Sequence, residues 1–513
     1  MSYPKKVARL RPTRGLALDL PANEMSPDFY TGGSNVIFRN GFAQRVPGSR
    51  DAYAQNTVDP VFHLLNVRAP GGITESNFWL AFGVDEVQAL ETSNIDDVTG
   101  SALSSVSSPW QWSSTLLNNI PCFTNGLDLP RYWAGDVGVP AATLPGWPVG
   151  TICKSLVAFK FHLFALDIDG PGGHFESQIK WSDAAAAGNV PSTWTAAATN
   201  EAGDGIAADT AGPCMLGIPL QDTLLVFKRS STYAVNYIGR PRIFQIRLLD
   251  GTRGALTRHG AVDVGGKVFV VTDGDVMLTD GVNWDSVAKG RVRDYLFSQL
   301  DQASYENLHV VYNRSRDEVE IRYPTTGNTF CNEAIIYSCA TEAWGIASLV
   351  DVTCGAVGVV NDLAVDETWD ADPEAWDDDL TYWNAANFSL AVEQVLTGAD
   401  SADIRLEDGT ATALPATLFR HDLSFGEPER FKYARRLHVR TDSQPGTLYC
   451  RVGGRNSVTD AITWDTERAL VPPASFINVR ALGKFLSTEI RSEDTEEWTV
   501  TGQDLEYEVR GYV

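Results

Sequence analysis

Cations are scarce in this chain: 41 Lys and Arg stand against 65 Asp and Glu, for a formal charge of −24 and a pI near 4.7. Phosphate binding needs clustered positive charge, so the overall field excludes a general nucleic-acid or anionic-membrane binder and leaves only local basic spots. Two such spots are Arg435–Arg436 and the opening MSYPKKVARLRPTR. Methionine is rare too, at four residues, which with the low lysine content argues against a helical bundle. The seven cysteines (122, 153, 214, 331, 339, 354, 450) are odd in number and contain no CxxC pair. That pattern suits free thiols in a reducing compartment better than a disulfide framework or a zinc site. Long apolar runs are also missing. The most hydrophobic stretch, SLVAFKFHLFALDIDG, is broken by Lys160 and His162 and is too short to span a bilayer. The basic opening is not followed by an apolar segment, so no secretory signal is expected, and synthesis in a cytoplasm is.

Catalytic signatures are absent as well. The chain has no GxxxxGK[ST] for nucleotide phosphates, no HExxH for zinc and no GxSxG elbow. The seven histidines (63, 162, 174, 259, 309, 421, 438) are isolated and read as satisfied surface or core residues. No enzyme activity and no cofactor are expected.

Strand formers and turn residues are plentiful: 52 aromatics (14 Trp, 16 Tyr, 22 Phe), 44 Gly and 25 Pro. Asn40–Gly41 sits between two β-prone runs, and Asn125–Gly126 repeats the pattern; both residue types tolerate positive φ. The stretch AVDVGGKVFVVTDGDVMLTDG packs Gly265–Gly266, Asp273–Gly274 and Asp280–Gly281 into one meander. The one helix predicted is short, around Tyr295–Leu300. Between residues 50 and 350, hairpins recur at the density of four-stranded propeller blades, and about 45 residues per blade gives six or seven. A sandwich or a pair of barrels is the competing reading. The sequence thus predicts an all-β protein with a first arm and hairpin over 1–50, a β-propeller over 51–350, an acidic, Trp-rich insertion over 351–417 and a C-terminal β-sandwich over 418–513.

Tyr323 to Ile404 contains no Lys or Arg but fifteen acids. Within it, TWDADPEAWDDDLTYWN places Trp369, Trp376 and Trp383 seven residues apart, followed by Asp370, Asp377 and Asn384. Asp370, Asp372, Asp377, Asp378 and Asp379 offer oxygen ligands for Ca²⁺, although their spacing is not that of a DxDxDG loop. The three tryptophans suit a docking arm, because Trp is favoured at interface hot spots. The plain alternative is a loop whose tryptophans pack on their own domain. A second distinctive stretch, QIKWSDAAAAGNVPSTWTAAATNEAGDG, echoes the Asp-box turns of sialidase-like propellers with stretched spacing and reads as an external blade loop.

GLALDLPANEMSPDFYTGGSNVIFRNGFAQRVPGS resembles the start of tail hub or nozzle proteins of short-tailed bacteriophages, the tail-tube and packaged-DNA stabilisation type. There, a strand with an Asn is followed by Arg-x-Gly and a Pro-Gly turn; Asn35, Arg39, Gly41, Pro47 and Gly48 occupy those places. VVYNRSRDEVEIRYP with EAIIYSCATEAWGI is similar to a late blade of that family, and the Trp–Asp run and terminal sandwich are of a kind found there. The resemblance implies a virion protein, assembled in the host cytoplasm, that forms a homo-oligomeric ring, usually a hexamer, below the portal and adaptor. Such a ring extends the DNA channel and carries fibres or spikes. An acidic wall would pass genomic DNA without binding it, unless Arg435 and Arg436 line a constriction. The alternative is a carbohydrate-binding or glycoside-cleaving propeller with Trp and acids at its axis.

Overall fold

A computed structural model describes residues 5–53, 60–68, 77–91, 94–360, 393–407, 414–493 and 497–511. Five consecutive four-stranded antiparallel sheets span 63–97, 113–143, 152–206, 216–250 and 261–286. Each is an up-and-down meander whose first strand lies nearest a common axis. The three Gly turns expected between 263 and 284 make the fifth of these sheets, with Gly265, Gly266, Gly274 and Gly281 all at positive φ. A sixth sheet is His309–Asn313, Glu318–Tyr323, Cys331–Ser338 and the start of Ala343–Gly358.

The sixteen-residue strand Ala343–Gly358 closes the ring. Its first half is the outermost strand of the sixth sheet; its second half pairs with Gln394–Ala399 and packs between the innermost strands of the sixth and first sheets. Gln394–Ala399 pairs with Ile404–Leu406, which in turn pairs with Arg50–Asp51 from the beginning of the chain. These four segments are a seventh blade. The fold is therefore a β-propeller, with seven blades among the described residues.

Alternation explains the blade packing. Strand interiors buried on both faces read as continuous apolar runs, with odd and even residues serving different neighbours. In Asn77–Phe82 of the first blade, Phe78, Leu80 and Phe82 pack with Trp112, Phe123 and Trp133 of the second. The intervening Trp79 and Ala81 pack with Leu396, Ile404 and Leu406 of the seventh. Thr223–Phe227 divides in the same way, Leu224 and Val226 facing the third blade and Leu225 and Phe227 the fifth. Each such side chain contributes roughly 1.5–3 kcal/mol on burial.

The remainder is a β-sandwich. One sheet holds Phe476–Gly483, Lys432–Ser443 and Thr499–Val509; the other holds Ala416–Leu423, Phe485–Ser492 and Leu448–Arg455. Phe476–Gly483 alternates strictly, with Ile477, Val479 and Ala481 turned into the core. The single helix with α geometry among the described residues, Arg293–Gln299, lies between the fifth and sixth blades, where the sequence predicted it.

The expected domain limits need correction. The first fifty residues are not a separate arm: Lys5–Leu10 pairs with Thr499–Val509, Gly32–Ser34 with Ala416–Leu423, and Arg50–Asp51 belongs to the propeller. The propeller does not end at 350, and 351–417 is not simply a linker, because it supplies the last blade and begins the sandwich at Ala416. Local composition marks strands and turns, but these pairings join residues hundreds of positions apart.

The hairpin Val36–Arg39/Phe42–Arg45 joins propeller and sandwich, touching Ile346 on one side and Thr499–Val500 on the other. Its turn is the predicted one, with Asn40 at φ 52° and Gly41 at φ 80°. Asn35, also at φ 52°, accepts the Ser348 N–H at 2.7 Å and donates to the Pro415 carbonyl at 2.8 Å. Arg39 donates twice to Glu318, at 2.5 and 2.7 Å, and the Glu318 side chain is only 2 % exposed. One hydrophobic core runs across this junction, from Val319 and Trp344 of the sixth blade to Leu437 and Leu505 of the sandwich.

Candidate functional site at the propeller axis

The innermost strands surround a channel of about 190 Å³ that opens into a mouth of about 400 Å³. The mouth is built by turns that lead into those strands and turns that leave the second strands of the blades, where loops are free to vary while the blades hold them in place. Asn125 forms one wall: its side-chain oxygen accepts the N–H groups of Leu127 and Asp128 at 3.0 and 2.8 Å, and Asp128 is tied back to Ser104. Pro109–Gln111 is a short 3₁₀ turn that presents Trp110, half-buried, to mouth and channel alike.

A charge cluster lies beneath the rim. In the second strand of the third blade the register slips between Leu166 and Ile168, and Asp167 takes φ 57°. Such a bulge re-aims one side chain. The Asp167 carboxylate, 1 % exposed, accepts from Arg258 Nη2 at 2.6 Å and sits 2.5 Å from His174 Nε2 and 4.0 Å from Lys154 Nζ. The Arg258 guanidinium lies 5.9 Å from the Trp110 ring, within cation–π range. Across the mouth, Arg229 donates to the Tyr305 hydroxyl at 2.8 Å and lies 5.1 Å from that ring.

Lower in the channel three histidines converge from three blades. His63 Nε2 is 2.7 Å from Ser114 Oγ, the rings of His63 and His259 are 5.6 Å apart, and His259 bridges to His309 through the backbone. Burial is the main cause pushing all three below the usual imidazole range, to about 3 for His63 and His309 and about 4 for His259. They are neutral at pH 7. His259 Nε2, His309 Nε2 and Asn307 Oδ1 are buried with no hydrogen-bond partner among the described residues. A buried polar atom without a partner costs roughly 1–3 kcal/mol, so each asks for an occupant of the channel. Cys331 Sγ lies 3.7 Å from His309 Nδ1, but burial pushes its thiol up, away from the thiolate that a nucleophile requires. No group of three or more His, Cys, Asp or Glu that could hold a metal occurs among the described residues.

Sequence reasoning missed this cluster. His63 and His309 each open an innermost strand and His259 stands two residues before one. That shared placement is the available signal, and it is readable only once blade register is known. Trp369, Trp376, Trp383, Asp370, Asp372, Asp377, Asp378 and Asp379 lie outside the described residues. The chain entering that segment is pinned, since the Val359 carbonyl accepts from Asn77 Nδ2 and Trp79 Nε1, both at 2.9 Å. Arg435 and Arg436 are exposed on a sandwich strand, away from the propeller axis. Arg435 pairs with Glu508 at 2.6 Å, and Arg436 donates to Asn478 at 3.2 Å. The Asp-box-like stretch connects the third and fourth strands of the third blade. All seven cysteines are free thiols. No helix among the described residues is long and apolar enough to cross a membrane.

No family model and no curated protein matches the sequence. Among solved structures, the chain is similar to the WD40 β-propeller domain of Doa1, at 8 % identity over 70 % of this chain and 96 % of that one, with a TM-score of 0.39. It is also similar to YCF48 bound to a D1 peptide (8 % identity, 72 % and 97 % covered, TM-score 0.36). A third is PorZ of the type-IX secretion system of Porphyromonas gingivalis (9 % identity, 75 % and 44 % covered, TM-score 0.36). The propeller assignment rests on the strand pairings themselves. They define an all-β protein of one propeller stitched to one sandwich.

Proposed function

We propose that the chain is a structural subunit of a bacteriophage tail, a hub or nozzle protein that forms a homo-oligomeric ring, most simply a hexamer. The observation that carries this reading is the junction. Asn35, Val36 and Arg39, within the segment that carries the sequence resemblance, meet the strands of the late blade through Ser348, Ile346 and Glu318. The two halves of the resemblance are therefore two sides of one joint. A joint with a continuous sheet and a shared core makes propeller and sandwich a stiff unit, suited to a ring wall that bears load. The axial channel, at about 190 Å³, has room for only about six waters at ~30 Å³ each, so a DNA duplex would run between copies and not through the propeller. In this reading Trp369, Trp376 and Trp383 dock an adaptor, fibre or neighbouring subunit, and an acidic lumen passes DNA without gripping it.

Native mass spectrometry and electron microscopy of the full chain, alone and with virion adaptor complexes, test the proposal. Rings of six copies of the 55.9 kDa chain are expected. A chain that remains monomeric alone and on adaptor complexes would sink it. Duplex DNA should not be retained even at low salt; salt-sensitive retention abolished by replacing Arg435 and Arg436 would instead indicate a gripping constriction. A second reading, a carbohydrate-binding propeller, is favoured by one observation: Trp110 at the axial mouth beside the acid Glu306.

A further inference from the structure

Three independent features meet at the axis. The first is the set of orphaned buried atoms, His259 Nε2, His309 Nε2 and Asn307 Oδ1, at the floor. His309 and Asn307 are 6 % and 7 % exposed, so bulk water does not serve them. The second is charge. In a chain of net −24, three cations (Lys154, Arg229 and Arg258) line one mouth. Arg258 is committed to Asp167, but the Lys154 ammonium has no hydrogen bond among the described residues and only that carboxylate, at 4.0 Å. The third is shape. A cavity of about 400 Å³ is sized for a small ligand, and Trp110 offers it a flat face.

From these we infer that the axial mouth binds a small ring-bearing oxyanion, a sugar-sized ring carrying a carboxylate or phosphate. Its charged group meets Lys154, with Arg229 and Arg258 on either side; its ring lies on Trp110; its hydroxyls reach Glu306 at the rim. Ligand or displaced water then satisfies the histidine nitrogens below. Arginine and lysine at such a mouth act as paired recognition elements for oxyanions, the guanidinium through its fork and the ammonium as a point charge. The inference narrows the carbohydrate reading above to acidic ligands and is independent of ring assembly.

The test uses the full chain, with saturation-transfer NMR and calorimetry against glucuronate, glucose 6-phosphate, inorganic phosphate and glucose. One or both ring oxyanions should bind with a Kd of about 1 mM or tighter, and glucose at least tenfold more weakly. Binding of glucuronate alone assigns the carboxylate source, and binding of glucose 6-phosphate alone the phosphate source; either supports the inference. Lys154→Gln and Trp110→Ala should each weaken binding about tenfold while leaving the melting temperature within a few degrees, and Arg435→Gln should change nothing. The inference is overturned by no binding of either ring oxyanion at about 10 mM, by equal affinity for glucose and glucuronate, or by inorganic phosphate binding as tightly as the ring compounds. Affinity unchanged in both pocket variants would also overturn it, by putting the ligand elsewhere.

Discussion

At the junction between propeller and sandwich, Asn35, Arg39 and Glu318 are each buried or half-buried with a named partner within 2.9 Å. At the propeller axis, His259 and His309 are held just as firmly by backbone, yet each keeps a ring nitrogen without a partner among the described residues. Both regions take polar groups out of water, and the desolvation cost is of the same kind. Partners already present at the junction offset that cost and fix how two domains meet. At the axis the cost stands, and the fold carries it because the apolar side chains buried between blades outweigh it. Satisfied polar groups fix how the two domains meet; at the axis the unpartnered nitrogens line a cavity that another molecule can enter.

The largest effect expected comes from breaking the junction. Arg39→Leu leaves the Glu318 carboxylate buried and unpaired, and should cost about 3–5 kcal/mol in denaturant unfolding. Arg39→Leu with Glu318→Leu should recover most of the loss, because two apolar groups need no partner; failure to recover would mean the arginine stem, not the charge, holds the joint.

The axis should reveal itself through pH. The three histidines have folded values near 3, 4 and 3, below the unfolded value of about 6.5, so the unfolded chain binds more protons across that window. Their contribution is complete above about pH 6.5 and is lost progressively as pH falls from there through the folded values of about 4 and 3. Urea unfolding at pH 7, 5.5 and 4.5 should show this slope, and His309→Asn should flatten it. An unchanged slope in that variant would put the acid sensitivity elsewhere.

Smaller effects separate conformation from bonding within the junction. Asn35→Ala loses two hydrogen bonds and forces φ 52° on a residue that resists it, for roughly 2 kcal/mol. Asn35→Gly keeps the conformation and should lose about half as much. Gly41→Ala, at φ 80° and with only Thr13 Cγ2 near the new methyl, should cost about 1 kcal/mol by thermal melting.

Turns and meanders were legible from residues alone, because Asn40–Gly41, Gly265–Gly266, Asp273–Gly274 and Asp280–Gly281 encode their own conformation. The propeller followed from hairpin density. What could not be read was any pairing remote in sequence: Lys5–Leu10 on Thr499–Val509, or Arg50–Asp51 on Ile404–Leu406. Strand propensity is a local property, while register is set by a partner. The axial site was hidden for the same reason. Trp110, Lys154, Arg258 and His309 are unremarkable alone and converge only through the ring.

Ring closure by Arg50–Asp51 has a consequence for synthesis. Arg50–Asp51, which completes the seventh blade, leaves the ribosome about 350 residues before its partner Ile404–Leu406. At ~5–20 residues per second, that is roughly 20–70 s during which the early segment has no mate. Lys5–Leu10 waits longer still, for Thr499–Val509. Blades two to five can fold as they emerge, each from a contiguous meander, but Lys5–Leu10 and Arg50–Asp51 stay unpaired and strand-prone until their distant partners are made. Their exposure time, more than the stability of the finished molecule, should govern how much newly made protein escapes aggregation, and slower translation should lower the soluble yield.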